Sequence, residues 1–206
     1  MTRLRIAHIS DLHLRRALPG TSSVSRRLSR RVPDLLAQAL RGIRAAAPDL
    51  VAVTGDLVDH PLYDLADPRL CEAGERDLLW VREAFDALGC PVAYLPGNHD
   101  HPALFRRVFA DQRVDFDLKG WRILLFNDEE VDCHAPQRMG GERERFLRVL
   151  RDGDPRPQVH LQHYLIVPEH NEGYPHNYRE AESLERALAA DGRVRLVLSG
   201  HYHAGE

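Results

Sequence analysis

Six short apolar runs punctuate the chain, and each empties into polar residues. Leu4 to Ile9 runs into Ser10-Asp11-Leu12-His13, Leu50 to Val53 into Thr54-Gly55-Asp56, and Val92 to Leu95 into Pro96-Gly97-Asn98-His99-Asp100. Trp121 to Phe126 is followed by Asn127-Asp128, Val159 to Leu161 leads to His163, and Val194 to Leu198 leads to Ser199-Gly200-His201. Their length and β-branched content predict buried strands. Between them the apolar positions recur at helical spacing. Residues 34–47 carry Leu35, Leu36, Ala39, Leu40, Ile43 and Ala47, with Pro33 placed for a first turn and Pro48 just beyond the end. Residues 75–88 carry Leu78, Val81, Phe85 and Leu88 before Gly89, and shorter patterns occupy 142–151 and 180–190.

Strands alternating with helices predict an α/β layered fold, and without a linker, repeat or low-complexity stretch residues 1–206 are expected to form one domain. In such sheets ligands bind beyond the carboxyl ends of the strands. The polar clusters are therefore expected to converge.

Composition changes this picture little. At 43% hydrophobic and 29% charged the chain has ordinary globular composition, and a net charge of -3 gives no overall signature of a nucleic-acid binder. The basic residues are bunched, however: Arg15, Arg16, Arg26, Arg27, Arg30 and Arg31 follow the first strand, either as a solvated helix face or as a surface for an anionic substrate. Three cysteines, Cys71, Cys90 and Cys133, without C-x-x-C spacing, fit a reducing compartment. The N-terminal apolar run is too short for a signal-peptide core, and nothing approaches a membrane span, so a cytoplasmic protein is expected.

The candidate chemistry sits at the strand ends. Asp11 and His13 are two apart, which at the end of a strand places both on one face within reach of one metal ion. His201 and His203 repeat that spacing. Asp56 follows Gly55, and Asn98 and His99 follow Gly97, where glycine lets the backbone turn close to a site. His163 stands at the end of its own strand. His8 and His160, inside strand-like runs, are expected in the core or behind the ligands, whereas His60, His101, His134 and His170 are expected at the surface or the rim of the site.

The series Asp11-Leu-His13, Gly55-Asp56, Gly97-Asn98-His99-Asp100, His163 and Gly200-His201-Tyr-His203 resembles the calcineurin-like metallophosphoesterase superfamily over residues 8–203. The resemblance implies a four-layer αββα sandwich with the metals at the strand ends. It places one ion on Asp11, His13, Asp56 and His203 and a second on Asp56, Asn98, His163 and His201, with Asp56 bridging. Oxygen and imidazole donors without thiolate suit two divalent ions such as Mn, Fe or Zn. Such a pair clamps the phosphoryl oxygens around an attacking, metal-bridging hydroxide. His99, beside a ligand but outside the ligand pattern, is implied as general acid, oriented by Asp59, with Asp100 as the alternative.

The resemblance is strongest to bacterial cyclic-nucleotide phosphodiesterases, through His-Ile-Ser-Asp-Leu-His-Leu and Val-Thr-Gly-Asp-Leu-Val-Asp, although His163 lacks the His-Pro that often follows it there. The expected activity is hydrolysis of a small phosphodiester; the alternatives are a DNA or RNA nuclease of the same superfamily and a non-catalytic metal-binding scaffold or truncated domain. A turn-rich, aromatic stretch from Pro168 to Tyr178 follows His163, and Asn171, Tyr174, His176 and Tyr178 are its candidate substrate contacts. Relatives add strands after the last motif, whereas this sequence ends at Glu206, so the expected sandwich lacks its last C-terminal strands, as a shortened member or a truncated product.

Overall fold

The computed structural model describes residues 2–131, 135–167 and 178–203. Their contacts divide into two compact units, Leu4–Gln112 and a second made of Met1–Arg3 with Arg113–Glu206.

The first unit is built on three parallel strands, β1 (Ile6–Ile9), β2 (Leu50–Thr54) and β3 (Val92–Leu95), in the order β1-β2-β3. Ile6 lies opposite Leu50 and Val51 opposite Val92. Parallel neighbours need crossovers, supplied by α1 (Val32–Ala46) between β1 and β2 and by α2 (Pro68–Asp86) between β2 and β3. All three strands therefore finish at the same edge. Val32 and Leu36 of α1, Leu78, Val81 and Phe85 of α2, and Leu104, Phe105 and Val108 of the short helix α3 (Pro102–Val108) form one core with Val51, Val53 and Tyr94 of the strands. Leu35 of α1, read in the sequence as part of the apolar stripe, is instead exposed.

Helix α2 begins seven residues before the periodic stretch at 75–88, because Asp67 caps it by accepting a hydrogen bond from Arg69 N at 2.8 Å and Pro68 occupies the first turn. Asp77, fully buried on this helix, accepts hydrogen bonds from the backbone N–H groups of Arg16 (2.9 Å), Ala17 (2.6 Å) and Leu18 (2.9 Å). One buried carboxylate thus fixes the chain that leaves the Asp11–His13 turn, since three N–H groups there have no strand to pair with.

The second unit has the strand order β4-β5-β8-β9: Asp115–Leu118, Trp121–Leu125, Gln158–Leu161 and Val194–Leu198. β4 and β5 form an antiparallel hairpin through Lys119 and Gly120, both with positive φ (51° and 80°), as a two-residue turn between right-twisted strands requires. β5, β8 and β9 run parallel, with α4 (Gly140–Arg151) and α5 (Ala181–Ala190) in the connections and a small ribbon of β6 (Glu129–Glu130) and β7 (Pro136–Gln137) after β5. The core gathers Leu124, Phe126, Phe146, Val149, Tyr164, Ile166, Tyr178, Ala181 and Leu184. Among the described residues no helix is long and apolar enough to cross a membrane.

Histidine enters this core. His160 on β8 is fully buried, packs 5.1 Å from Phe126 between ring centroids, and hydrogen-bonds Gln158 Oε1 through Nε2 at 2.9 Å. Burial first, then the nearby Arg138 charge, push its pKa down to about 3. A histidine depressed in this way contributes stability that is complete above its unfolded pKa of about 6.5 and is lost as pH falls from there towards 3, because only the unfolded chain takes up the proton. The folded state is therefore expected to lose about 1 kcal/mol per pH unit below pH 6 at this residue. Denaturant melts of wild type and His160→Gln between pH 7 and pH 4 check this: the variant's curve should fall less steeply with acid, and parallel curves would rule the histidine out as the cause.

Candidate active site

The edge where β1, β2 and β3 end carries Asp11, His13, Asp56, Asn98 and His99. Spacing along a strand is not what aims the first two. Both lie beyond β1 with left-handed backbones, φ 55° at Asp11 and 45° at His13, and Asp56 has φ 53° beyond β2. The loops zip together instead: Asp11 N donates to Gly55 O (3.0 Å), His13 N to Asp56 O (2.8 Å) and Leu14 N to Leu57 O (3.1 Å). Such φ values are uncommon outside glycine and cluster where a site dictates the backbone.

Asp56 is the hub of this edge. It is buried, its Oδ1 accepts the backbone N–H of His99 at 2.8 Å, and its Oδ2 faces His13 Nε2 at 3.5 Å. Gly97 packs directly on it: a Cβ at that position would lie 2.7 Å from the Asp56 Cγ. Asp100 turns away from His99. It accepts hydrogen bonds from Gly97 N (2.8 Å), Leu57 N (3.1 Å) and Val58 N (2.9 Å), binding the β2 and β3 loops to each other.

His99 Nδ1 lies 3.0 Å from Asp59 Oδ1, and the other carboxylate oxygen takes Arg15 Nε at 3.0 Å and Nη2 at 2.9 Å. Burial acts to raise the Asp59 pKa, but the His99 hydrogen bond and the Arg15 charge outweigh it and hold the carboxyl well below the usual carboxylate range. His13, Asp59 and His99 offer ligand atoms within 4.8 Å of one another, with the His13 and His99 rings edge to face at 4.7 Å.

The basic segment dissolves into separate duties. Arg15 holds Asp59 and Pro19 O, and Arg30 donates to the carbonyls of Arg15, Arg16, Leu18 and Gly20. Arg16 lies over the Trp80 ring at 5.7 Å. Arg27 reaches the dyad, with Nη1 3.3 Å from His99 Nε2 and 3.6 Å from Asp59 Oδ1. Sequence reasoning singled out neither Arg15 nor Arg27 from its neighbours, since composition alone cannot say which of six arginines meets a carboxylate.

In the second unit His163 follows β8 and His201 follows β9, on adjacent parallel strands; their rings lie edge to face at 4.9 Å, and Gly200 N donates to His163 O at 2.8 Å. His201 is a further left-handed residue, φ 73°, and His203 is half-buried beyond it. A buried network missed in the sequence flanks His163. Arg138 donates to Asp128 Oδ2 (2.7 Å) and Gln162 Oε1 (3.0 Å), and Gln162 Nε2 donates to Tyr164 O (2.7 Å). The Arg138 guanidinium stacks 4.2 Å from Phe126 and 4.8 Å from Phe146, which offsets part of the cost of burying it.

Tyr178 belongs to that network and not to an open loop: it is 4% exposed, packs in the core, and its hydroxyl donates to Asp128. Asn171, Tyr174 and His176 lie outside the described residues, as do His134 and His170. His60 and His101, expected at the surface or rim, are buried edge to face at 4.9 Å, with His101 Nδ1 capping α3 by accepting from Ala103 N at 3.2 Å. His8, expected in the core or behind the ligands, is exposed, with Nε2 2.8 Å from Thr54 Oγ1.

Carboxylate, amide and imidazole groups at these edges, with no thiolate among them, fit a divalent ion. The Calcineurin-like phosphoesterase family matches residues 4–205, and this chain belongs to that family. Its class of chemistry is metal-dependent hydrolysis of phosphoesters. Similar proteins include a probable cyclic nucleotide phosphodiesterase of Synechococcus sp., 28% identical over 97% of this chain and 73% of that protein. A cAMP/cGMP dual specificity phosphodiesterase of Mycobacterium tuberculosis is 26% identical over 96% of this chain and 61% of its own length. The 3′,5′-cyclic adenosine monophosphate phosphodiesterase of Escherichia coli is 25% identical over 98% and 70%. Among solved structures, a dimetal phosphatase from Danio rerio superposes with a TM-score of 0.69 at 17% identity, covering 97% of this chain and 82% of that one, which shows the fold.

Proposed function

We propose that this chain is a two-metal phosphodiesterase acting on small diesters, cyclic nucleotides among them. The observation that carries the reading is the His99–Asp59 pair at 3.0 Å, set beside Asp56 and His13 at the end of a parallel sheet. In this reading residues 1–206 work as one domain, with Asp11, His13, Asp56 and His203 holding one ion and Asp56, Asn98, His163 and His201 the other. Mn, Fe and Zn are the ions that suit these donors. When bound, they supply charge that stabilises the phosphoryl oxygens and acidifies water. Support for this set comes from the resemblance of its motifs to the family to which the chain belongs. Tyr178 is a packing residue, and Asn171, Tyr174 and His176 are the proposed substrate contacts.

His99 gives its Nε2 proton to the leaving oxygen. Nδ1–H donates to Asp59, whose ionised carboxylate fixes the ring, while Arg15 holds that carboxylate in place. A nitrophenolate leaves unaided, so His99→Ala is expected to cost little with bis-p-nitrophenyl phosphate but about a hundredfold with the alkoxide leaving group of 3′,5′-cAMP. Turnover of bis-p-nitrophenyl phosphate, p-nitrophenyl phosphate and cAMP by the Mn-loaded wild type and variant checks it. Diester turnover above monoester is expected; metal-loaded protein that cleaves neither diester would sink the reading, and equal losses on both diesters would remove His99 as the acid.

A further inference from the structure

Arg27 ends a 3-10 turn, Ser25–Arg27, that is followed by left-handed Leu28 (φ 47°). Its Nη1 lies 3.4 Å from Nδ1 and 3.3 Å from Nε2 of His99. Nδ1 is occupied by Asp59, so the one hydrogen bond open to Arg27 on the ring is the long approach to Nε2 at 3.3 Å, which does not lock the guanidinium. Nor is it locked to Asp59, which it approaches only to 3.6 Å while Arg15 sits at 2.9 Å on the other oxygen. Its Nε is buried without a hydrogen-bond partner among the described residues.

Arg15 and Arg30 show what a structural arginine looks like in the same segment. Arg15 spends three nitrogens on a carboxylate and a carbonyl, and Arg30 donates to four carbonyls. Asp59 already has its countercharge in Arg15. Arg27 is therefore a second cation at the dyad, with a side chain 16% exposed and donors left over, beside the histidine that faces the leaving oxygen. A planar fork of N–H donors held that way suits the oxygens of a phosphoryl group.

We propose that Arg27 is a substrate-binding residue that takes a non-bridging phosphoryl oxygen on the leaving-group side of the phosphodiester. The proposal rests on the phosphodiesterase reading for its substrate, and inorganic phosphate tests it independently of turnover. In Mn-loaded protein, Arg27→Ala is expected to weaken phosphate binding by calorimetry about tenfold or more, with metal content and melting temperature kept and Arg27→Lys recovering part of the loss. kcat/KM for bis-p-nitrophenyl phosphate should fall in parallel. The same loss of phosphate affinity should appear when Arg27→Ala is made in a His99→Ala background. A loss that vanishes there would mean that Arg27 acts only through His99, and phosphate affinity within twofold of wild type would make it a structural residue; either result overturns the proposal. A wild type that binds phosphate through Arg27 yet cleaves no ester would leave this assignment standing and remove the phosphodiesterase reading instead.

Discussion

Gly97→Ala is expected to lower stability by about 3 kcal/mol and metal affinity by about 10- to 100-fold, from the addition of one methyl group. The new Cβ would lie 2.7 Å from the Asp56 Cγ and closer still to its Oδ1 and backbone N. A flexible neighbour would move aside at little cost. Here the obstacle is backbone together with a buried carboxylate that His99 N holds at 2.8 Å, on a loop that His13 N holds at 2.8 Å. The strain therefore passes into the proposed bridging ligand and into the backbone of the proposed acid. Gly42→Ala provides the control: on α1, with nothing within 4 Å of the added carbon, it should stabilise by about 0.5–1 kcal/mol. Thermal melts with and without Mn, and metal titration of both variants, read the contrast. A Gly97→Ala protein with wild-type metal affinity would show that the Asp56 loop yields, and that the close approach has no functional weight.

Asp56→Asn is expected to cut diester turnover by about a thousandfold. Asparagine keeps the shape, accepts the His99 N–H and tolerates the left-handed φ of 53°, so the fold should survive. The informative part is the sign of the stability change. Asp56 and Asp100 are both buried, and burial together with the Asp56 charge pushes the Asp100 carboxyl above the usual carboxylate range. Without metal, two carboxylates crowd one region, and removing a charge relieves it. The metal-free variant should therefore melt above metal-free wild type, while Mn should raise the wild type's melting temperature and barely move the variant's. A metal-free variant that melts lower would contradict this account of the Asp56–Asp100 pair.

Gly97 and Asp56 act through features that the sequence signals only in part. The run Leu50–Val53 is uninterrupted and apolar, and it is a strand buried along its whole length, because a strand covered on both faces has no alternation to lose. The same legibility extends to β1, β3, β8 and β9, and hence to the sheet edges that carry the motif residues. Helix α3 has seven residues, too few to show a period, and β4 reads Asp-Phe-Asp-Leu with two charges, so neither announces itself. The site followed the same division. Motif spacing pointed to residue types at strand ends, but Asp11 and His13 are aimed by left-handed backbone and paired loops, which strand geometry does not describe. His60 and His101 looked like surface groups because nothing in their neighbours reveals that α3 and α2 close over them; Gly74, where a Cβ would meet His60 Nδ1 at 2.6 Å, records that contact only in retrospect.

Of the seven non-glycine residues with positive φ among those described, Asp11, His13, Asp56 and His201 are proposed ligands. Each such residue raises the energy of the folded chain by about 1 kcal/mol or more relative to glycine at the same place. The fold is thus least comfortable where its chemistry resides. A lineage released from catalysis has a downhill path: glycine at any of these four positions relaxes the backbone and removes a donor in one step. Under selection for folding alone, the motif is expected to erode from its left-handed positions first, leaving Asn98, His163 and His203 as the last traces of an inert and sturdier descendant.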